Sequence, residues 1–305
     1  MAVFLFPGQG SQAVGMGKDL YQAFPQVREL YDQAAEFLGF DLRQYSFEGP
    51  EEELKKTEVT QPALFVHSVA LNGLLAERGM APEATAGHSL GEFSAVVSAG
   101  ALDFLSALAV VKVRAEEMAK AGELTTGAMA AIMGANPDQI TMLCDQAGAA
   151  GVVVPANLNA PGQVVLSGDA AAIDEAVKIA GELGIRRAIR LNVSGAFHSP
   201  LMTPAREALA QALDAVQFSD PHVPVYQNAS AKAVNSAAEI KANLLLQLEN
   251  TVNWEASIRQ FQADGFKSFI EVGVGKVLQG LNRRIVPDAQ TTGVGSLEDM
   301  ETLNV

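Results

Sequence analysis

Cysteine is all but missing: Cys144 is the single one among 305 residues. No intrachain disulfide can form, and a reducing compartment fits. Cys144 shares helical spacing with Ile140, Leu143 and Ala147, which marks it as a packing residue rather than a reactive thiol. Positive charge is also short, with 21 lysines and arginines against 35 aspartates and glutamates and a net charge of −14. That balance argues against nucleic acid as the general partner. It also means that an acidic protein partner would need a local basic patch to land on. No apolar run approaches bilayer length, so no membrane segment is expected. The apolar start, 1–6, has no basic lead and runs into Pro7-Gly8, so it reads as a first strand and not a leader. The expected location is cytoplasmic. Internal repeats and low-complexity segments are lacking too.

Apolar residues make up 49 % of the chain and charged residues 18 %, the balance of an ordinary globular protein. Its organising stretch is Gly87-His88-Ser89-Leu90-Gly91. The spacing Gly-x-Ser-x-Gly is that of a nucleophile elbow, in which a serine stands exposed on a sharp strand-to-helix turn. Side chains in place of either glycine would crowd that turn. The flanks fit, with a strand-like run over 84–86 and a helix over 92–99 that stops at Gly100. Near the N-terminus, Pro7-Gly8-Gln9-Gly10-Ser11-Gln12 is a glycine-rich loop. It lacks the spacing of a phosphate loop, and it reads as a strand-to-helix turn that could also offer N–H groups to an anion.

Helical patterns cover 17–24, 25–38 and about 61–78, and Pro50 opens a short acidic helix. A long helix is expected over 103–120, capped by Asp103 and ended by Gly122. Residues 125–195 then change character. Strands at 127–133, 152–156, 163–167 and 186–193 alternate with helices at 137–147 and 170–183. A turn is expected at Asn159-Ala160-Pro161-Gly162. The order β-α-β-β-α-β is that of a ferredoxin-like unit. It reads as an insertion, because α/β alternation resumes afterwards through strands at 223–227 and 267–272 and helices at 204–216, 239–248, 254–263 and 275–285. The last residues are expected to fray.

A serine nucleophile needs a base. Of the four histidines, His67 lies in an apolar helix face, His222 reads as surface, and His88 adjoins Ser89 on a turn where neighbours diverge. His198 sits in a loop just after the insertion and follows the serine in chain order. No aspartate is an obvious third member, so a backbone carbonyl could orient the imidazole instead. Arg114 lies on or beside an apolar stripe. It either faces the core, where a guanidinium needs an anion, or pairs with Glu117 on the surface. A core-facing Arg114 would suit an acyl group that itself carries a carboxylate. Serine and histidine alone would suit an esterase or thioesterase, and a carrier-binding module without catalysis is the alternative from another class.

Over essentially its whole length the chain resembles the malonyl-CoA:acyl carrier protein transacylase family. The matching residues are Phe6-Pro7-Gly8-Gln9-Gly10-Ser11-Gln12, Gly87-His88-Ser89-Leu90-Gly91-Glu92, Val113-Arg114, Ala156-Asn157 through Pro161-Gly162-Gln163, Gly195-Ala196-Phe197-His198-Ser199, and Glu271-Val272-Gly273 with Gly275-Lys276-Val277-Leu278. Gly273-Val274-Gly275 departs from a commoner Gly-Pro-Gly. The resemblance implies an α/β-hydrolase-like catalytic domain with a parallel sheet (1–124 and 196–305) and an inserted ferredoxin-like subdomain (125–195). It implies that Ser89 carries the acyl ester, that His198 is base and acid, and that the N–H groups of Gln9 and Leu90 form the oxyanion hole. Arg114 would grip the malonyl carboxylate, the Gln247 carbonyl would orient the histidine, and Phe197, Met118 and His88 would line the substrate pocket. The implied partners are malonyl-CoA and acyl carrier protein, with no cofactor or metal. Carrier docking is expected at Arg186, Arg187 and Arg190, with Arg283 and Arg284 as lesser candidates, and the chain is expected to be a monomer.

Overall fold

Short apolar runs build the sheets. The computed structural model describes residues 2–193 and 195–303. Within them the strands are, in chain order, β1 (Val3–Phe6), β2 (Ala84–Gly87), β3 (Gly127–Met133), β4 (Val153–Ala160), β5 (Gln163–Asp169), β6 (Arg187–Arg190), β7 (Val225–Gln227), β8 (Lys232–Val234), β9 (Ser268–Val272) and β10 (Gln290–Val294). The first sheet has the order β10-β9-β1-β2-β7-β8. It is parallel except for β8, which pairs antiparallel with β7. Every residue of β1 and β2 is buried, because a parallel sheet is covered on both faces and its strands need no polar side. Side chains of β1 alternate between those faces. Phe4 and Phe6 join the core formed with the helices Thr57–Glu77, Phe104–Leu124 and Thr203–Ala215, while Val3 and Leu5 pack with Trp254, Phe261 and Leu278.

The second sheet is antiparallel, in the order β4-β5-β3-β6. Its own core packs Ala130, Ile132 and Leu166 against Leu143, Ile173 and Ala176 from the helices Pro137–Ala147 and Ala170–Glu182. The opposite face sends Met129 and Val165 into the large core. The two sheets therefore meet across side chains that a period of two brings to one face.

Several boundaries differ from the sequence reading. The helix capped by Asp103 runs through Gly122 to Leu124. Gly122 serves close approach instead, since a Cβ on Gly195 would lie 3.0 Å from its Cα. Asn159 and Ala160 continue β4, and the turn shrinks to Pro161-Gly162. The strand expected over 186–193 is only Arg187–Arg190, in register with Ala130–Met133 of β3. Ahead of the end where fraying was expected, β10 adds to the edge of β9 and the helix Leu297–Thr302 follows, while residues 304–305 lie outside the described residues. The helix Thr57–Glu77 is long and apolar enough to cross a bilayer, contrary to expectation, but 78 % of that stretch is buried inside the protein. It is the apolar centre of the core, not a lipid-facing element. Cys144 is half-buried beside the second core, and burial pushes its thiol up to about 11, which keeps it protonated and unreactive.

Candidate active site

The site gathers at the carboxyl ends of β1, β2 and β7, where ligands bind in open α/β sheets. The elbow glycines are fixed by contact. A Cβ at Gly87 would lie 1.8 Å from the Gly91 carbonyl carbon, and one at Gly91 would lie 2.0 Å from the Phe6 oxygen. A Cβ at Gly8 would lie 2.3 Å from the His88 oxygen. The loop after β1 thus packs backbone to backbone on the elbow, which brings Gln9 and Leu90 to the same pocket as Ser89. Ser89 has φ 52° and His198 φ 58°, both in the left-handed region. For residues with a Cβ that conformation costs roughly 1–2 kcal/mol each, so the surroundings must hold them. Asn228 helps: its Oδ1 accepts the Ser89 N–H at 2.7 Å and its Nδ2 donates to the Gly87 carbonyl at 2.7 Å.

His198 is buried, with Nδ1 2.8 Å from the Gln247 carbonyl oxygen and Nε2 2.7 Å from Ser89 Oγ. A carbonyl can only accept, so Nδ1 carries the proton and Nε2 is left to accept from the serine hydroxyl. Burial, reinforced by the Arg114 charge, pulls the imidazole down to about 3. It is therefore neutral near pH 7, the form a base needs.

Arg114 faces the core and is 1 % exposed. Its Nη1 donates to Gln61 Oε1 at 2.6 Å, and its Nη2 donates to Gln247 Oε1 at 2.8 Å and Ser89 Oγ at 3.1 Å. Its guanidinium carbon lies 5.4 Å from the centre of the Phe93 ring. The surface pair with Glu117 does not form; Glu117 binds Lys120 at 2.6 Å instead. Burial lowers the guanidinium to about 10, with Glu92 opposing the shift, so it stays cationic at neutral pH.

Ser89, His198 and Arg114 open on one pocket of about 210 Å³ that Met118, Phe197, His88 and Gln61 also line. His88 diverges from Ser89 as read: its Nε2 donates to Asn159 Oδ1 at 2.8 Å, and its ring lies 5.5 Å from that of Trp254. His67 is fully buried and His222 is exposed. The docking arginines lie apart from this pocket. Arg187 and Arg190 on β6, and Arg186 just before it, are exposed, and Arg190 is already paired with Asp174 at 2.6 Å. Arg283 is exposed, while Arg284 donates to Gln163 and to the Pro161 carbonyl.

Four polar residues of the site were given no role in the sequence reading: Gln61, Glu92, Asn159 and Asn228. Glu92 is fully buried, and desolvation pushes its carboxyl up to about 7 against the pull of its donors. The available signal was a polar residue on an otherwise largely apolar helix, as with Gln61 among 57–75 and Glu92 in Gly91–Ser98. A buried polar group needs partners, and such positions deserve that question.

Comparison with known proteins gives this arrangement its relatives. A family described as the acyl transferase domain matches residues 3–297. The chain belongs to that family. It is 46 % identical over 299 residues to the malonyl CoA-acyl carrier protein transacylase of Bacillus subtilis, covering 98 % of this chain and 94 % of that one. It is 44 % identical over 284 residues to the protein of the same name in Escherichia coli K12, covering 93 % and 92 %. Among solved structures, an acyl carrier protein S-malonyltransferase from Vibrio cholerae superposes with a TM-score of 0.95 at 40 % identity, over 99 % of both chains. Another, a malonyl-transacylase in complex with a type II polyketide acyl-carrier protein, gives 0.94 at 40 % identity over 98 % of this chain and 97 % of that one. As a member of this family the chain is an acyltransferase.

Proposed function

We propose that this acyltransferase moves a malonyl group from malonyl-CoA to the phosphopantetheine thiol of an acyl carrier protein, through an ester on Ser89, and so supplies fatty-acid synthesis. The observation that carries the reading is the buried Arg114 cation 3.1 Å from Ser89 Oγ. A fixed guanidinium at that range suits an acyl group ending in a carboxylate, because its planar fork matches carboxylate geometry. The pocket, at about 210 Å³, falls below the roughly 300–1,000 Å³ of sites for drug-sized ligands, as a short acyl group requires.

Ser89 Oγ attacks the thioester carbonyl while His198 Nε2 takes the hydroxyl proton. The N–H groups of Gln9 and Leu90 bind the oxyanion. The C–S bond then breaks, and the imidazolium returns its proton to the departing coenzyme A thiolate. In the second half the carrier thiol attacks the ester carbonyl, with His198 again taking the proton and giving it back to Ser89. Gln247 holds the imidazole tautomer through its carbonyl. Phe197, Met118 and His88 wall the acyl group, and none of these steps calls on a metal or cofactor. In this reading 1–124 and 196–305 form an α/β-hydrolase-like catalytic domain, and 125–195 form the ferredoxin-like insertion, which presents Arg187 and Arg190 on β6 and Arg186 just before it to the acidic carrier protein.

Mass spectrometry after mixing with malonyl-CoA tests the proposal. A malonyl adduct at Ser89 that carrier protein clears is the expected result. Rapid release of free malonate would make the protein a hydrolase, and no adduct would make it a binding module.

A further inference from the structure

Glu92 is a fully buried carboxylate beside Ser89, and the chemistry above does not use it. It sits on the first turn of the helix that the elbow launches, where its own N–H donates to the Ser89 carbonyl at 3.1 Å. Its side chain accepts three donors. Gln227 Nε2 reaches Oε1 at 2.9 Å, while the Asn228 N–H and Gln247 Nε2 reach Oε2 at 2.8 and 3.1 Å. The Gln247 bond is the informative one. A glutamine amide has a donor end and an acceptor end, and its neighbours decide which faces where. Gln247 Nε2 faces only acceptors, Glu92 Oε2 and the Ser89 carbonyl at 2.9 Å, with Asn228 Oδ1 at 3.5 Å. Its Oε1 faces the Arg114 guanidinium at 2.8 Å. Turning the amide over would set oxygen against a carboxylate and NH2 against a cation.

We propose that Glu92 is a positioning residue for acyl transfer: by fixing the orientation of the Gln247 amide, it holds Arg114 on Ser89. The inference rests on the malonyl-transfer reading. The chain of bonds runs from carboxylate to amide N–H, from amide oxygen to guanidinium, and from guanidinium to the nucleophile. Asn228 forms a second arm, since the same carboxylate oxygen that takes its N–H steadies the residue that accepts the Ser89 N–H. The ionised form suits this post because it is acceptor-only and meets three donors at once, and those donors oppose the burial that raises its carboxyl.

A double-mutant cycle tests it, with Glu92→Leu and Gln247→Met made singly and together in the full chain. Gln247→Met removes the amide and keeps the backbone carbonyl that binds His198. Glu92→Leu alone should lower kcat/KM for malonyl transfer by roughly ten- to a hundredfold, the scale of about 1.4–2.8 kcal/mol. Acetyl transfer should fall less, because the relay ends on Arg114. In the Gln247→Met background the same change should cost less than about threefold, since the amide it would orient is gone. Losses that multiply in the double variant, or equal losses for malonyl and acetyl, would make Glu92 a plain structural anchor and overturn the proposal. Should the leucine variant fail to fold, Glu92→Gln carries the same cycle. It offers one carbonyl oxygen for three donors, and its cost must shrink beside Gln247→Met to the small share that the Asn228 arm carries. Wild type run in parallel separates the two readings: if it forms no malonyl ester on Ser89, the proposed function fails and not the role of Glu92 alone.

Discussion

Arg114→Ala should invert the acyl preference of the pocket. The side chain is 1 % exposed and donates to Gln61, Gln247 and the Ser89 hydroxyl. A malonyl ester on Ser89 brings its carboxylate into that enclosure. Without the guanidinium the carboxylate is buried and unpaired, a loss on the order of 3–5 kcal/mol. At about tenfold per 1.36 kcal/mol, kcat/KM for malonyl transfer should fall by roughly two to four orders of magnitude. An acetyl group offers no carboxylate, so its transfer should hold steady or rise once no cation opposes an apolar acyl group. Truncation has a structural side as well. The Oε1 atoms of Gln61 and Gln247 lose their guanidinium donor, and orphaned buried acceptors cost about 1–3 kcal/mol each. The variant should melt earlier, so rates belong well below its Tm. Arg114→Lys keeps the charge but not the fork, and should fall between. The assay is transfer from malonyl-CoA and acetyl-CoA to one carrier protein, side by side. Equal losses for both donors, in a protein that a melting curve shows to be folded, would refute the carboxylate grip.

His198→Ala should slow both half-reactions by about a hundredfold or more, while His88→Ala costs far less; stopped-flow acylation and deacylation decide, and the reverse ranking would reassign the base. Reversing Arg186 and Arg187 to glutamate should raise KM for carrier protein and leave that for malonyl-CoA alone at low salt; unchanged carrier kinetics would remove this patch from the docking surface. Stability should fall with acid. Burial holds His67 down to about 4 and His198 down to about 3. Below about pH 6.5 the unfolded chain therefore binds protons that the folded one refuses. Glu92, raised to about 7, works in the opposite sense, stabilising the fold as pH drops toward its unfolded value. His67→Leu should therefore flatten the acid limb of a Tm–pH curve by roughly one proton, and a limb of unchanged slope would show that His67 is not held neutral.

The parts of the site that can be read from the chain are those with local signatures. Gly87 and Gly91 are set by a turn only five residues long, and His198 stands out because few histidines compete with it. Arg114 could be narrowed only to two alternatives, since helical spacing places a residue beside an apolar stripe without saying what lies across from it. Asn228 had no such signature. Its partner Glu92 is 136 positions away, and the pair exists only once β7 and the elbow stand side by side. The same limit explains the short edge strands. β8 is three residues long and β10 five, with patterns too brief to mark them; each forms because a neighbouring strand supplies its hydrogen-bonding template. Ends of elements also moved where a close contact, as between Gly122 and Gly195, outweighed local preference.

The left-handed backbone shared by Ser89 and His198 bears on any attempt to engineer this protein. Glycine at either position would relax the main chain, and it would also delete the nucleophile or the base. A library sorted by heat resistance alone would therefore drift toward inert variants, because two of the three left-handed non-glycine positions among the described residues do the chemistry, the third being Ala231. Selection has to score acylation and thermal survival in the same round, and these two positions should be locked before the first one.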